Sequence, residues 1–585
     1  TVEQEAFSGC IALTNNGGDQ RVLPKELVSL GERAFYNCKS LEVANVPKGL
    51  EIIPKEAFSR CEKLVTISYD DNADLTSIGE NAFSYCTSLV TATLPVKLAL
   101  REYVSANGDT IADETGLVKN PFYGCSSLKA YAFAGETDGT LFIEDGVVYR
   151  ALASDDGNAG ELNGRKARAI YAYPTAKSTA SYEVPVIVSK IDRYAFFGST
   201  ITGVRFAAAS EQGGKKPVMF TEIGSYAFAE TAATEATISV RVYKIGEGAF
   251  AKSKLNKVTL ETEYIDVNQR ASSYNVLNAR VDNNLLSVGA YAFTQTAIAS
   301  FIVPYRVTEL GEGALSDCYS LSEITFGAGS KLDGETLKLG DGLFRNDNLV
   351  KKVVFPDNLT EIGSYAFYAC GNLESVIFGF DGTENLSVGD YAFAKAQYLY
   401  EITFPSNLAH LGKGVFDGDT RLKYVNFSQT AKVGIELELP DYAFVGMREM
   451  EEITLPSYVT RIGEGAFVDT SLRKIEFSGD ENSPSLTIGK RAFAYLATLT
   501  SVDLPANLVE IEEEAFFSSN IATVNYGEGK KDGSGAETGL ALGARAFSET
   551  KINEFIATAR ITAIGEGCFE NCPYLSKAVI GENVK

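Results

Sequence analysis

The chain has 585 residues, of which 45% are hydrophobic and 22% charged, and this balance excludes a mainly disordered or collagen-like chain. The 76 acidic and 53 basic residues give a net charge of −23, which repels phosphate groups and argues against binding to nucleic acid or to anionic lipid. No apolar run reaches the roughly 18 residues that a membrane helix needs, so we predict no membrane span.

A short tag, Ile-Gly-x-x-Ala-Phe, recurs along the whole chain. Counting degenerate copies, 20 residues occupy the last position of the tag, and we call them anchors. The anchors are Phe7, Phe35, Phe58, Phe83, Phe122, Phe196, Phe228, Phe250, Phe293, Leu315, Phe344, Phe367, Phe393, Phe416, Phe444, Phe467, Phe493, Phe516, Phe547 and Phe569. From Leu315 to Phe516 the steps alternate between 23 residues and 26 to 29 residues. We therefore predict one array over residues 1–585, built from about 20 stacked coils, rather than several globular domains.

Each coil follows the same order of residue types. Five or six residues after the anchor comes Leu-x-x-(Ile/Val)-x-(Leu/Phe), as at residues 399–404, and the alternation predicts a short strand with one buried face. A proline such as Pro405 then marks the point where pairing stops, because proline has no N–H to donate. We expect one strand per coil in a single parallel sheet, with short turns, 3-10 turns or single-turn helices on the opposite side.

Three intervals break the rhythm, near residues 99–119, 136–181 and 261–284. We expect a hairpin-bearing insertion near 136–190 and a longer loop near 261–284. Such segments either carry binding specificity or are tolerated insertions.

The extended pattern around the tag is more specific than the tag itself. It reads (Asn/Tyr)-x-Cys-x-Ser-Leu-x-x-(Val/Ile)-x-(Leu/Phe)-Pro-x-x-(Leu/Val)-x-x-Ile-Gly-x-x-Ala-Phe, with cysteine-bearing copies at residues 84–89, 316–321 and 368–373. This pattern resembles the BspA-like, or Treponema pallidum-type, leucine-rich repeats. Residues 141–149, followed by 171–174, resemble the hairpin-bearing variant of these arrays.

The resemblance implies a right-handed superhelix or horseshoe with the parallel sheet on its concave face. It also implies a cell-surface or secreted protein, bacterial or less often from a protist, that adheres to host proteins, matrix proteins or other cells. These properties come from the resemblance and not from composition or spacing.

Eight of the nine cysteines lie three residues after an anchor, and the ninth, Cys568, directly precedes Phe569. There is no Cys-x-x-Cys pair, and the odd count does not suit a complete disulfide set. We interpret these residues as small buried thiols, with a weak hydrogen-bonding ladder between coils. The alternative stays open that cysteines on consecutive coils, such as Cys38 and Cys61, form a bridge under oxidation.

The strand positions between the buried residues should point out of the sheet at a shared register. We call ten of them the strand-face patch. Its members are Tyr400, Glu401, Thr403, Lys423, Tyr424, Asn426, Glu451, Glu452, Arg473 and Lys474. They form either a binding surface or an ordinary solvated face, and Tyr400 and Tyr424 on consecutive coils favour binding. Tyrosines two residues before an anchor, such as Tyr226, we interpret as a structural column rather than a contact stripe.

Together, the repeats, the family resemblance and the strand-face patch favour a non-enzymatic module that binds an extracellular protein or glycan. We expect it to act as a monomer, at a bacterial cell surface or outside the cell. The first alternative is a structural spacer that displays another domain. The second is an enzyme with a site in the 136–190 insertion, where we find no catalytic spacing. The single histidine, His410, fits a variable polar position better than a catalytic base, and we predict no cofactor and no metal site.

Overall fold

The computed structural model describes residues 1–15, 21–99, 103–104, 111–112, 116–152, 161–162, 165–207, 221–262, 285–328, 334–379, 384–430, 432–531 and 537–585. The chain divides into two compact units, a first unit Thr1–Ile298 and a second unit Ala299–Lys585. Each unit is a stack of coils made of short parallel strands joined by turns, which is a parallel β-solenoid. In the described ranges no residue is part of an α-helix or a 3-10 helix. The prediction of one array over residues 1–585 stays a prediction.

The first series of strands follows the leucine of each coil, where the sequence predicts it. In the first unit these strands are Val43–Val46, Thr66–Tyr69, Thr91–Leu94, Ala130–Phe133, Ser181–Val184, Gly203–Phe206, Glu235–Ile238 and Lys257–Leu260. In the second unit they are Ser300–Pro304, Glu323–Ala328, Lys352–Val354, Ser375–Ile377, Glu401–Phe404, Tyr424–Phe427, Glu452–Leu455, Lys474–Phe477, Ser501–Asp503, Thr523–Asn525, Glu554–Ile556 and Lys577–Val579. Residues alternate between core and solvent, so that Ile402 and Phe404 are buried and Glu401 and Thr403 are exposed.

A second series of strands ends just before the glycine of the tag. In the first unit it comprises Ile52–Ile53, Ser77–Ile78, Gly116–Leu117, Arg168–Ala172, Val188–Ile191, Thr221–Ile223, Val242–Ile245 and Leu286–Val288. In the second unit it comprises Val307–Leu310, Leu337–Leu339, Leu359–Ile362, Leu386–Val388, Leu408–Leu411, Leu437–Leu439, Val459–Ile462, Leu486–Ile488, Leu508–Ile511, Leu540–Leu542 and Ile561–Ile564. The expectation of one strand per coil is therefore wrong, because the segment after the proline pairs in parallel with its neighbours as well.

The second series also explains the alternating steps of the repeat. A short step carries a four-residue strand such as Leu408–Leu411, and a long step a three-residue strand such as Leu386–Val388. Leu386 pairs with Leu408 and Val388 pairs with Leu411, so the register shifts by one residue within the pair. The four-residue strand of a short step has one residue more than the three-residue strand with which it pairs. A β-bulge accommodates this residue, so the buried residues at the two ends of the strands stay aligned.

The turn that holds each anchor is itself hydrogen-bonded to the next coil. In the coil of Phe228, the residues two before and two after the anchor, Tyr226 and Glu230, both adopt φ +55°. The backbone N–H groups of Tyr226, Phe228 and Glu230 donate to carbonyl oxygens of the following coil at 2.8, 2.7 and 2.9 Å. A left-handed residue other than glycine costs about 1–2 kcal/mol, and this regular ladder offsets that cost.

The anchor rings form a stacked column inside each unit. Phe35 and Phe58 lie 5.3 Å apart between ring centroids at 4°, and Phe493 and Phe516 lie 5.3 Å apart at 16°. These rings are almost completely buried. Burial of each is worth about 1.5–3 kcal/mol relative to exposure, so the column is a main contribution to the stability of the stack.

The column continues through a coil that the tag does not reveal. Tyr173 occupies an anchor position, since its ring stacks on Phe196 at 4.5 Å and its N–H donates to the carbonyl of Ala195 at 2.8 Å. Tyrosine followed by Pro174 replaces the usual Ala-Phe ending, so the segment does not match the tag. The interval near 136–181 therefore contains a coil and is not purely an insertion.

Antiparallel hairpins branch from this part of the first unit. Leu141–Glu144 pairs with Val147–Ala151, which also pairs antiparallel with Arg168–Ala172. Two smaller hairpins are Tyr103–Val104 with Ile111–Ala112 and Glu161–Leu162 with Arg165–Lys166. Of the longer loop expected near 261–284, residues 263–284 lie outside the described residues.

Candidate functional site

The strand-face patch lies at the outward positions of four first-series strands of the second unit and of the residues just before them. Eight of its ten members are exposed, and Lys423 and Tyr424 are half-buried. Strand pairing sets Glu401 opposite Tyr424 in one pair of coils and Glu452 opposite Lys474 in the next pair. The shared register thus brings side chains together that are more than twenty residues apart in the sequence.

One end of the patch is aromatic and cationic. The rings of Tyr400 and Tyr424 meet edge to face, with centroids 5.5 Å apart and planes at 81°, and Tyr400 is 48% exposed. The ammonium of Lys423 lies 5.5 Å from the centroid of Tyr424, which is within cation–π distance. Partial desolvation and the adjacent phenol of Tyr424 raise the pKa of Tyr400, so its hydroxyl is a neutral donor at physiological pH.

The structure adds two residues that the sequence-based selection missed. The guanidinium of Arg421 lies 5.0 Å from the ring centroid of Tyr398, and this ring is 49% exposed. Both residues stand in the turn before their strands, outside the alternating positions used for the selection. The signal in the sequence is that Tyr398 and Tyr400 flank the buried Leu399, so both rings are left on the surface.

The rest of the patch is polar and partly paired within itself. The amide of Asn426 donates to Glu401 Oε1 at 3.1 Å and to Thr403 Oγ1 at 3.3 Å. Lys474 forms an ion pair with Glu476, which accepts a hydrogen bond of 3.2 Å from Thr454. Glu451, Glu452 and Arg473 are exposed at the same edge. Exposed pairs of this kind contribute little to stability, about 0–1 kcal/mol each.

The tyrosines two residues before an anchor pack along the turn edge. The rings of Tyr365 and Tyr391 stack at 5.2 Å and 14°, and both residues adopt a left-handed backbone. Tyr365 is 42% exposed. The interpretation of these residues as a half-buried column agrees with this geometry.

All nine cysteines are free thiols. Six of them donate to the carbonyl of the anchor in the preceding coil, for example Cys61 to Phe35 at 3.3 Å and Cys370 to Phe344 at 3.1 Å. Burial raises the pKa of Cys38 to about 11 and that of Cys61 further. Because the thiolate is the reactive form, these cysteines are structural.

Two coils carry a buried aspartate where others carry the cysteine. Asp347 is 0% exposed and Asp419 is 2% exposed. Desolvation by burial raises the pKa of Asp347 to about 9 and that of Asp419 well above its ordinary value. The carboxyl group of Asp347 is therefore protonated at neutral pH, and it accepts a hydrogen bond from the backbone N–H of Cys318 at 2.8 Å.

Two arginines are buried among backbone carbonyls. Arg241 is 2% exposed and donates to the carbonyls of Val184 and Val188 at 2.9 and 3.1 Å, and to the hydroxyl of Thr221 at 2.8 Å. Arg560 is 0% exposed and donates in the same way, for example to a carbonyl two coils earlier at 2.9 Å. Each guanidinium thus fastens several coils together.

Two further features bear on metal binding and on membrane insertion, and the single histidine is a third candidate group. His410 is exposed on the strand Leu408–Leu411. Among the residues that the structure describes, no group of three or more His, Cys, Asp or Glu side chains is placed to hold a metal ion. In the same part of the chain, no helix has the length and apolar character to cross a membrane.

Comparison with solved structures gives bacterial repeat proteins of low sequence identity. A leucine-rich repeat protein from Bacteroides ovatus is 19% identical, with 75% of this chain and 94% of that chain covered and a TM-score of 0.44. A leucine rich cell surface protein from Faecalibacterium prausnitzii is 18% identical, with 64% and 76% covered and a TM-score of 0.32. The T. pallidum leucine rich repeat protein is 18% identical, with 45% and 82% covered and a TM-score of 0.22.

No curated protein matches the chain. The family model of the BspA type leucine rich repeat region matches it in six copies, over residues 1–137, 221–333, 330–437, 437–532 and 537–585. These matches cover most of the sequence and leave out the hairpin-bearing part of the first unit. The repeated tag, the stacked anchors and these matches agree, and the chain belongs to the BspA-type leucine-rich repeat family.

Proposed function

We propose that this protein is a non-enzymatic recognition module that binds a protein ligand through the strand-face patch. The observation that carries the proposal is the group formed by the exposed rings of Tyr398 and Tyr400 and the half-buried ring of Tyr424, each close to a cation or to another ring. Tyrosine and arginine are enriched at the energetic centres of protein interfaces. A group of this composition on the outward face of paired strands suits a protein partner.

Exposure supports the proposal, because these rings do little for folding. Tyr398 and Tyr400 leave about half of their surface in water, whereas the intervening Leu399 is fully buried and holds the coil together. The sheet below is fixed by backbone pairing between Glu401–Phe404 and Tyr424–Phe427. The rings are thus presented on a rigid base, which lowers the entropy lost on binding.

The location outside a bacterial cell is part of the same proposal. It rests on the family. The buried thiols fit such a location without disulfides, since desolvation keeps them in the unreactive form. We further propose that the protein acts as a monomer and uses no cofactor.

The test is a binding screen of the intact chain against an array of extracellular-matrix proteins, followed by affinity measurement on the strongest hit. The double variant Tyr400→Ala/Tyr424→Ala should weaken binding about tenfold or more, as the loss of an interface centre does. Tyr495→Ala is a matched control, because Tyr495 is also 48% exposed but lies in an anchor turn. An unchanged affinity of the double variant would contradict binding through the strand-face patch, and the absence of any hit in the screen would favour the alternative of a structural spacer.

A further inference from the structure

A pocket of about 390 Å³ opens on the anchor-turn edge of the first unit. Its walls come from five coils, those with the anchors Phe83, Phe122, Phe196, Phe228 and Phe250. Pockets that hold small ligands usually measure roughly 300–1,000 Å³. The pocket shares no residue with the strand-face patch.

The hollow follows from a change of side-chain size at one position of the repeat. The residue directly after the anchor is Tyr123 and then Phe197 in two of these coils, and it is Ala229 and Ala251 in the two that follow. The rings of Tyr123 and Phe197 lie 5.9 Å apart between centroids. The alanines leave the space beside them open, so a wall of rings ends at a floor of methyl groups.

A second aromatic wall stands at right angles to the first. Tyr194 stacks on Tyr226 at 5.4 Å and 19°, and it meets Phe197 edge to face at 5.6 Å and 84°. The guanidinium of Arg193 covers Tyr194 at 4.6 Å, and the hydroxyl of Tyr226 donates to Glu247 at 2.6 Å. These contacts hold the rings in place before any ligand arrives.

The polar groups of the pocket balance in charge. Glu80 and Lys119 line one side, with 2.7 Å between their charged atoms, and Glu230 and Lys252 line the other side. The amide of Asn120 donates to the carbonyl of Phe197 at 2.6 Å. Two carboxylates and two ammonium groups sum to zero, although the whole chain carries −23. A charged ligand of either sign therefore meets a like charge as well as an opposite one and gains no net attraction from these four groups.

We propose that this pocket binds a neutral sugar residue, either free or at the end of an oligosaccharide. The apolar C–H face of a pyranose ring packs on the aromatic walls, whereas its hydroxyls donate to carboxylates and accept from ammonium and amide groups. A purely apolar ligand would desolvate the carboxylates and ammonium groups without replacing their hydrogen bonds. The site lies in the first unit, so it is independent of the proposed protein-binding patch in the second unit.

The experiment measures binding of neutral trisaccharides to the full chain by saturation-transfer NMR and calorimetry. The probes are chitotriose, cellotriose and maltotriose, and sialyllactose is the acidic comparison. At least one neutral probe should bind, and sialyllactose should bind no more tightly, because a pocket whose charges sum to zero offers an anion no net attraction. Failure of all three neutral probes, or a preference for sialyllactose, would overturn the proposal.

Variants locate the bound sugar. Phe197→Ala removes part of a wall, and Lys252→Ala removes an exposed donor, so each should weaken binding about tenfold. Tyr391→Ala is the matched control, since Tyr391 occupies the turn position of Tyr226 and stacks in the same way in the second unit. Circular dichroism checks that each variant folds. If Phe197→Ala does not fold, Lys252→Ala remains as the test of the proposal. Equal affinities of Lys252→Ala and wild type would also contradict the proposal.

Discussion

The phenol ring of Tyr226 lies over Gly248 of the next coil, where a Cβ atom would stand only 2.3 Å from ring carbon Cε1. The same relationship joins Tyr391 to Gly414 at 2.5 Å. Both glycines also adopt a left-handed backbone, with φ +57°. At these two positions the tyrosine ring fills the space that a side chain of the following coil would need, which accounts for the second glycine of these Gly-x-Gly pairs. Where the following coil carries tyrosine instead, as in the pairs Tyr194–Tyr226 and Tyr365–Tyr391, the two rings stack.

Replacing a glycine that lies under a tyrosine ring should lower the free energy of unfolding by more than the cost of the left-handed backbone alone. Gly414→Ala must displace the Tyr391 ring, so we expect a loss of about 1–3 kcal/mol for overpacking in addition to about 1–2 kcal/mol for the left-handed φ. Gly446 is the matched control, since it has φ +71° and open space around it. Urea denaturation gives both values, and equal losses in the two variants would contradict the steric explanation. In a Tyr391→Ala background the excess cost should disappear.

Removal of a buried guanidinium should uncouple several coils at once. Arg241→Met keeps the apolar stem but removes the charged hydrogen bonds to the carbonyls of Val184 and Val188, which keep the N–H of Ala207 and the hydroxyl of Thr221 as donors, so we expect a loss of about 1–3 kcal/mol. Burial lowers the pKa of the Arg241 guanidinium to about 10. Arg205→Met is the control, because Arg205 forms only an exposed ion pair with Glu183. Thermal unfolding compares them, and similar losses in both variants would show that the buried contacts are unimportant.

The first-series strands and the anchor column follow directly from the sequence, because alternating burial and a repeated aromatic residue are local patterns. The second-series strands were not predicted, because their buried residues do not alternate with exposed ones. In the strand Leu408–Leu411 the first and last residues are buried and the two between them are not. The coil of Tyr173 was not predicted, because its anchor is a tyrosine and the tag ends in phenylalanine. Neither pattern contradicts the fold, but each becomes visible only when neighbouring coils are aligned in space.

The two candidate sites also differ in how far local sequence patterns could predict them. The strand-face patch could be selected from strand alternation, whereas Arg421 and Tyr398 stand in turns whose side-chain directions no local pattern fixes. The proposed sugar pocket depends on contacts between residues that are far apart in the sequence, such as Tyr123 and Phe197, whose ring centroids lie 5.9 Å apart. Sites built from turn residues of several coils can be identified only once the structure is known.

Stability should fall as the pH rises, because of the two buried aspartates. Their pKa values are raised in the folded state, so the folded protein holds protons that the unfolded chain releases above its ordinary pKa near 3.8. The protonated carboxyl therefore stabilises fully below pH 3.8, and for Asp347 this contribution is lost as the pH rises towards about 9. The slope is at most about 1.4 kcal/mol per pH unit for each group.

The isosteric variants isolate this effect from other carboxylates. Asp347→Asn and Asp419→Asn do not titrate, so each should gain stability over wild type from pH 5 to pH 8, by an amount that grows with pH. Urea unfolding at several pH values measures the difference. Asp74→Asn serves as the control, because Asp74 is exposed and its pKa is lowered by Lys97. A difference between wild type and Asp347→Asn that stays constant with pH would contradict the burial of a protonated carboxyl group.

Thiol accessibility should divide the cysteines into two classes. Cys10 is exposed and Cys572 is half-buried, whereas the other seven are buried. A thiol-specific reagent such as Ellman's reagent should therefore label Cys10 and then Cys572 in the native protein, and the remainder only on unfolding, because desolvation suppresses the thiolate. The variant Cys10→Ser should lose the fastest phase and keep the rest. Rapid labelling of more than two thiols in native protein, or disulfides between consecutive coils after mild oxidation, would show that the thiol ladder opens more readily than its burial implies.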